Sequence, residues 1–105
     1  MVTRIRILDH VKQCSTYDDG EIIFRLISSE LGNEERFDNK VELDFDGVLS
    51  VPSAFVNAAL VQLLDTHSFD YIRSHLNVVG STRQINDLVR RRFQFAMRQN
   101  SGKLA

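Results

Sequence analysis

The feature that most constrains this chain is a change of hydrophobic period inside one short stretch, residues 40–64. From Lys40 the apolar side chains Val41, Leu43 and Phe45 recur at every second position, the mark of a strand with one buried face. From Ala54 they run almost without a break through Phe55, Val56, Ala58, Ala59, Leu60, Val61, Leu63 and Leu64. That is the pattern of a helix buried nearly all round or set against a partner. Asp46-Gly47 and Pro52-Ser53 lie between the two. A serine on a strand-to-helix loop stands where α/β proteins place their functional groups.

The rest of the chain repeats the alternation. Thr3 to Leu8 sets Ile5 and Ile7 against Arg4 and Arg6, which predicts a strand with one wet face. His10 to Tyr17 fits a strand extension, a second strand or a loop equally well. Asp18-Asp19-Gly20 signals a helix start, with two carboxylates near its positive end. Ile22, Ile23, Leu26, Ile27 and Leu31 follow at helical spacing, and Gly32-Asn33 offers a left-handed cap. Glu34 to Asn39 reads as the link into the next strand. Beyond a polar stretch with one helical turn around Phe69 to Ile72, His75 to Val79 reads as a short strand. Ser81 with Gln84 fits a capping box for a last helix that buries Ile85, Leu88, Val89, Phe93 and Ala96 and frays from about Gln99. Strand, helix, strand, helix, strand, helix implies helices on a central sheet, with the last two strands parallel.

Length fits one domain over residues 1–105, with a core from about residue 4 to residue 97. Net charge is −1, from 13 basic and 14 acidic side chains, so no global field favours nucleic acid or an anionic membrane. The lone Cys14 cannot close an internal disulfide, and no apolar run approaches the roughly 20 residues of a bilayer span. The start Met1-Val-Thr-Arg has no signal-peptide core. The expectation is a cytoplasmic protein without a membrane partner.

Four groups of residues compete as a site. Asp44 and Asp46 share a face of the strand, but no third oxygen cluster accompanies them, so no metal is expected. Ser53 lacks the flanking glycines of a nucleophile elbow, and His10, His67 and His75 show no spacing that supplies a base, so no catalytic set is expected. Pro52 suits the first helical position, with Val51 as cap and Ser53 in the first turn. Arg90, Arg91 and Arg92, extended by Arg83 and Arg98, offer the one basic run, yet three successive positions fan over about 200° of a helix and form no single stripe. Nucleic-acid or nucleotide binding through Arg83 and Arg90 to Arg92 is the alternative function. Arg92 falls near the Leu88–Val89 stripe, and Cys14 reads as a structural thiol. No Gly-rich phosphate loop is present, and no cofactor is expected.

The segments Val41 to Val48 and Val51 to Phe55 resemble the core of STAS-type domains, and most closely a STAS-like family of small bacterial proteins. An apolar strand ending Asp-x-x-Gly-Val leads through a short loop to a serine at a helix start. His75 to Gly80 with Ile85 to Leu88 resembles the family's ending, and Cys14 to Ile22 its beginning. The resemblance implies a single α/β domain with a central mixed sheet of about four strands and three main helices. It also implies a non-enzymatic partner-switching module, contacted by a histidine-kinase-like (GHKL-type) ATPase or anti-sigma-like regulator, with a homodimer left open. Ser53 falls on the serine that such a kinase phosphorylates in anti-sigma factor antagonists. Pro52 stands where those have aspartate, and Ala54-Phe55 where they have Ser-Gly. The implied partner loop comprises Asp46, Ser50, Pro52, Ser53, Phe55 and the nearby Asn57. A phosphate on Ser53 would add about −1.5 to −2 charges near Asp44 and Asp46.

Overall fold

A computed structural model describes residues 2–32 and 40–104, with side chains up to residue 98. Strand β1 (Val2–Arg6) runs through a 3-10 turn and a loop into helix α1 (Tyr17–Leu31). Strand β2 (Lys40–Asp44) leads to α2 (Ser53–Ala59), and a second 3-10 turn joins α2 to α3 (Phe69–His75). Strand β3 (Leu76–Val79) and α4 (Arg83–Leu104) complete the chain. The sheet has the order β1-β2-β3, and every pair is parallel.

Among the described residues, three parallel strands replace the expected mixed sheet of about four. His10 to Tyr17 supplies no strand because Thr16 caps α1, its hydroxyl accepting from the Asp19 amide at 3.1 Å. The loop before it is pinned by Val11 and Cys14, both buried. The described residues form four α-helices where three were expected, and the apolar run from Ala54 to Leu64 is not one helix. α2 stops at Ala59, and Gln62 Nε2 donates to the Ala58 carbonyl at 3.1 Å, satisfying an acceptor freed by the break. α4 continues through Leu104, past the fraying expected from Gln99. Its cap is Thr82, not Ser81: the Thr82 hydroxyl accepts from the Ile85 amide at 3.3 Å, whereas Ser81 donates to Asn86 Oδ1 at 2.5 Å. Asn33 and the link read at residues 34–39 lie outside the described residues.

The register places Ile5, Leu43 and Val78 side by side, with Thr3, Val41 and Leu76 in the next row of the same face. Right-handed crossovers in this strand order carry the connecting helices to that one face. The other face keeps the wet side read from β1, with Arg4, Glu42 and Asn77 in one row and Arg6, Asp44 and Val79 in the next. α1 buries Ile23, Ile27 and Leu31, while Ile22, expected in the same stripe, is exposed. Gly20 lets α1 close on α2, since a Cβ there would stand 2.6 Å from the Phe55 carbonyl oxygen. The C-terminal end of α1 is sealed by α3 and the loop before it. Tyr71 Oη donates to the Leu31 carbonyl at 2.9 Å, and His67 Nε2 lies 2.7 Å from the Gly32 carbonyl. A carbonyl only accepts, so Nε2 donates to it, and Nδ1 lies 2.9 Å from the Thr66 hydroxyl. This histidine, buried and stacked on Tyr71, is a packing residue.

Candidate functional site

The site begins where β2 ends. The Val48 amide donates to the Phe45 carbonyl at 2.8 Å, closing a tight turn in which Gly47 takes φ 86°, a left-handed value that favours glycine. The Asp44 carboxylate braces that turn. Its Oδ1 accepts from the Asp46 amide at 2.9 Å, and its Oδ2 meets Arg4 at 3.1 Å. Gly80 leaves room for it, because a Cβ at that position would collide with Asp44 Oδ1. Asp46 is exposed and faces Arg6 at 3.5 Å. Arg6 holds its proton more tightly than usual, chiefly through the Asp9 carboxylate at 2.9 Å and then through Asp46. The two aspartates therefore pair with separate arginines.

Beyond the turn, Val48 and Val51 are buried and anchor the loop at both ends, while Leu49 between them is 79 % exposed. The Leu49 carbonyl accepts from the Thr82 hydroxyl at 2.9 Å, so the residue that caps α4 also tethers this loop. Leu49 is thus presented to solvent on a fixed backbone. The cap of α2 is Pro52, one residue later than the expected Val51, and its carbonyl accepts from the amides of Phe55 and Val56. Ser53 is the first helical residue and is exposed, as are Ser50 and Pro52. Phe55 is fully buried, as are Val56, Ala58, Ala59, Leu60 and Leu63. The expected contact through Phe55 and the apolar face of this helix is therefore replaced by a core wedge beneath the loop. Half-buried Asn57 turns to α4, its Oδ1 accepting from Arg92 Nε at 3.0 Å.

Ser53 shares a cleft of about 350 Å³ with Leu88, Arg91, Arg92, Phe95 and Arg98 of α4. The Arg92 guanidinium lies 4.8 Å over the Phe95 ring, so stacking and the Asn57 bond fix it together. The arginines of the sequence run do not gather as a run. Arg90 turns away to pair with Asp87 at 3.1 Å and lines an apolar groove with Phe69, Ile72 and Phe93. Arg83 stands on the first turn of α4, about two turns from Arg91. The seven-residue spacing of Arg91 and Arg98 puts the two on one side of a helix, but their place opposite Ser53 depends on how α4 packs against α2. Exposed Leu49 carried no such signal, since nothing in Val48 to Val51 says which apolar residue is left outside.

Cys14 is buried in the loop before α1, and burial, with the Asp19 carboxylate behind it, pushes its thiol up to about 11. Among the described residues no group of three or more metal-ligating side chains comes together. No described helix is long and apolar enough to cross a membrane.

No curated protein and no solved structure matches this chain. A family described as a STAS-like domain of unknown function (DUF4325) matches residues 19–86, a span running from α1 into the first turn of α4 and including Ser53. The match covers well over half of the sequence, and the chain belongs to this STAS-like family.

Proposed function

We propose that this protein is a non-enzymatic interaction module that works by partner switching, with a histidine-kinase-like ATPase or anti-sigma-like regulator as its partner. The observation that carries the reading is the Leu49 loop: a large apolar side chain almost fully in solvent, on a backbone fixed by Val48, Val51 and Thr82. A rigid apolar anchor beside small polar residues is the kind of feature around which binding energy concentrates. Ser50 follows it on the loop and Ser53 opens α2 just beyond, and Ser53 is the control point. Transfer of the γ-phosphoryl group of ATP to its hydroxyl, with loss of the hydroxyl proton and release of ADP, adds about two negative charges beside the anchor. An interface made over Leu49 would have to desolvate that charge, which ends the complex.

The test is binding of purified protein to the histidine-kinase-like ATPases encoded in the same genome, read by biolayer interferometry. Leu49→Ser, Ser53→Asp and Ser53→Glu should each weaken binding at least tenfold, while Ser53→Ala keeps it. Equal binding by all four variants and the wild type, or no binding by any ATPase of the set, refutes the reading.

A further inference from the structure

The cleft between α2 and α4 carries charge that an interface over Leu49 does not use. Its lining includes Arg91, Arg92 and Arg98 and no carboxylate, in a chain whose net charge is −1. Arg91 and Arg98 stand two turns apart on one side of α4, with Arg92 adjacent. None of the three has an ion pair among the described residues, whereas Arg4, Arg73 and Arg90 each have one and Arg6 has two. Like charges gathered in a concave site focus a positive potential on whatever enters it. Arg92 is already held by Asn57 and Phe95, so its free guanidinium edge loses little entropy on binding. The residues that supply the charge lie outside the span matched by the family, whereas Ser53 on the opposite wall lies inside it.

We propose that this cleft recognises a phosphate monoester, with Arg91, Arg92 and Arg98 as its cationic partners. A carboxylate carries one charge and two oxygens, which a single forked arginine satisfies. A phosphate dianion has three oxygens to offer and suits several arginines at once. Two sources share this chemistry: a phosphoryl group on Ser53 itself, or a free phosphorylated small molecule. On Ser53 the new charge would meet three arginines, and not the aspartates that the sequence alone placed beside it. α4 would then hold the modified serine in place. The first source rests on Ser53 as the control point proposed above. The site itself needs no protein partner, so its test succeeds or fails independently of the binding experiment.

Two measurements decide it. Glycerol 3-phosphate, with glycerol as control, is titrated into the protein while amide shifts of α2 and α4 are followed by NMR. Separately, phosphoserine is incorporated at position 53 and the phosphate is titrated by phosphorus NMR. The expected results are saturable shifts weakened about tenfold or more in Arg91→Gln/Arg98→Gln, and a second phosphate ionisation below its usual value of about 6 that returns to it in the same variant. Arg91→Lys/Arg98→Lys, which keeps the charge, should recover part of both effects and serves as the folding control. Dependence on the arginines in the first measurement assigns the site to a free ligand, and in the second to Ser53. Absence of arginine dependence in both overturns the proposal.

Discussion

Replacing Gly20 by alanine sets two effects of known size against each other. Gly20 is a buried position in α1 at the crossing with α2. A Cβ there stands 2.6 Å from the Phe55 carbonyl oxygen, 2.7 Å from Ala58 Cβ and 3.2 Å from the Ala59 amide nitrogen. These are backbone atoms and the root of a side chain, so no flexible tip can swing aside, and the helices must move apart. Alanine is the better helix former by about 0.8–1 kcal/mol. Overpacking costs about 1–3 kcal/mol, and contact with backbone places this case in the upper half of that range. The net expectation is a loss of roughly 1–2 kcal/mol, a fall in Tm of about 5–15 °C for a domain of this size. Urea unfolding should show a lower midpoint at an unchanged slope, and the amide shifts that change should run along α2 as far as Ser53. An unchanged or raised midpoint would show that the helices separate without cost, and that the close crossing does not position α2.

Three further outcomes follow from the same geometry. Phe55→Ala should lose about 3–5 kcal/mol because the ring is fully buried, whereas Leu49→Ser should stay within about 0.5 kcal/mol of wild type in the same urea titration. Thr82→Ala removes both the cap of α4 and the tether of the Leu49 carbonyl; it should cost about 1–2 kcal/mol and speed hydrogen exchange at the Ile85 amide. Cys14, with its thiol raised to about 11, should react slowly with iodoacetamide at pH 8 in the folded protein and readily in urea. Because the folded value lies above the unfolded one, its contribution to stability is complete below the ordinary thiol range and is lost as pH rises through about 11. A native alkylation rate equal to that in urea would contradict the buried placement.

The elements that announce themselves by period were legible in the sequence. Ile5 between Arg4 and Arg6 gave β1 its wet face, although Ile7 and Leu8, read in the same strand, lie in the 3-10 turn after it. Val41 and Leu43 gave β2. Ile23, Ile27 and Leu31 gave α1 its buried stripe. What escaped was decided by tertiary contacts. The break at Leu60 follows from packing on every side, with neither proline nor glycine to mark it. The cap of α4 fell to Thr82, whose hydroxyl also donates to the Leu49 carbonyl, a tertiary contact. At the site, Ser53 and its place at the start of a helix were readable, while the arginines opposite it depend on how α4 crosses α2. No local pattern encodes that crossing.

The bond between Arg92 and Asn57 joins residues 35 apart in sequence. At synthesis rates of roughly 5–20 residues per second, the second wall of the cleft trails the first by roughly 2–7 s. The serine and its neighbours on β2 leave the ribosome before any of the arginines that will face them. An enzyme acting on the nascent chain meets Ser53 with no guanidinium beside it, and one acting on the finished fold meets it against a positive wall. The serine therefore has two chemical environments separated only in time, and the docking of α4 marks the passage from the first to the second.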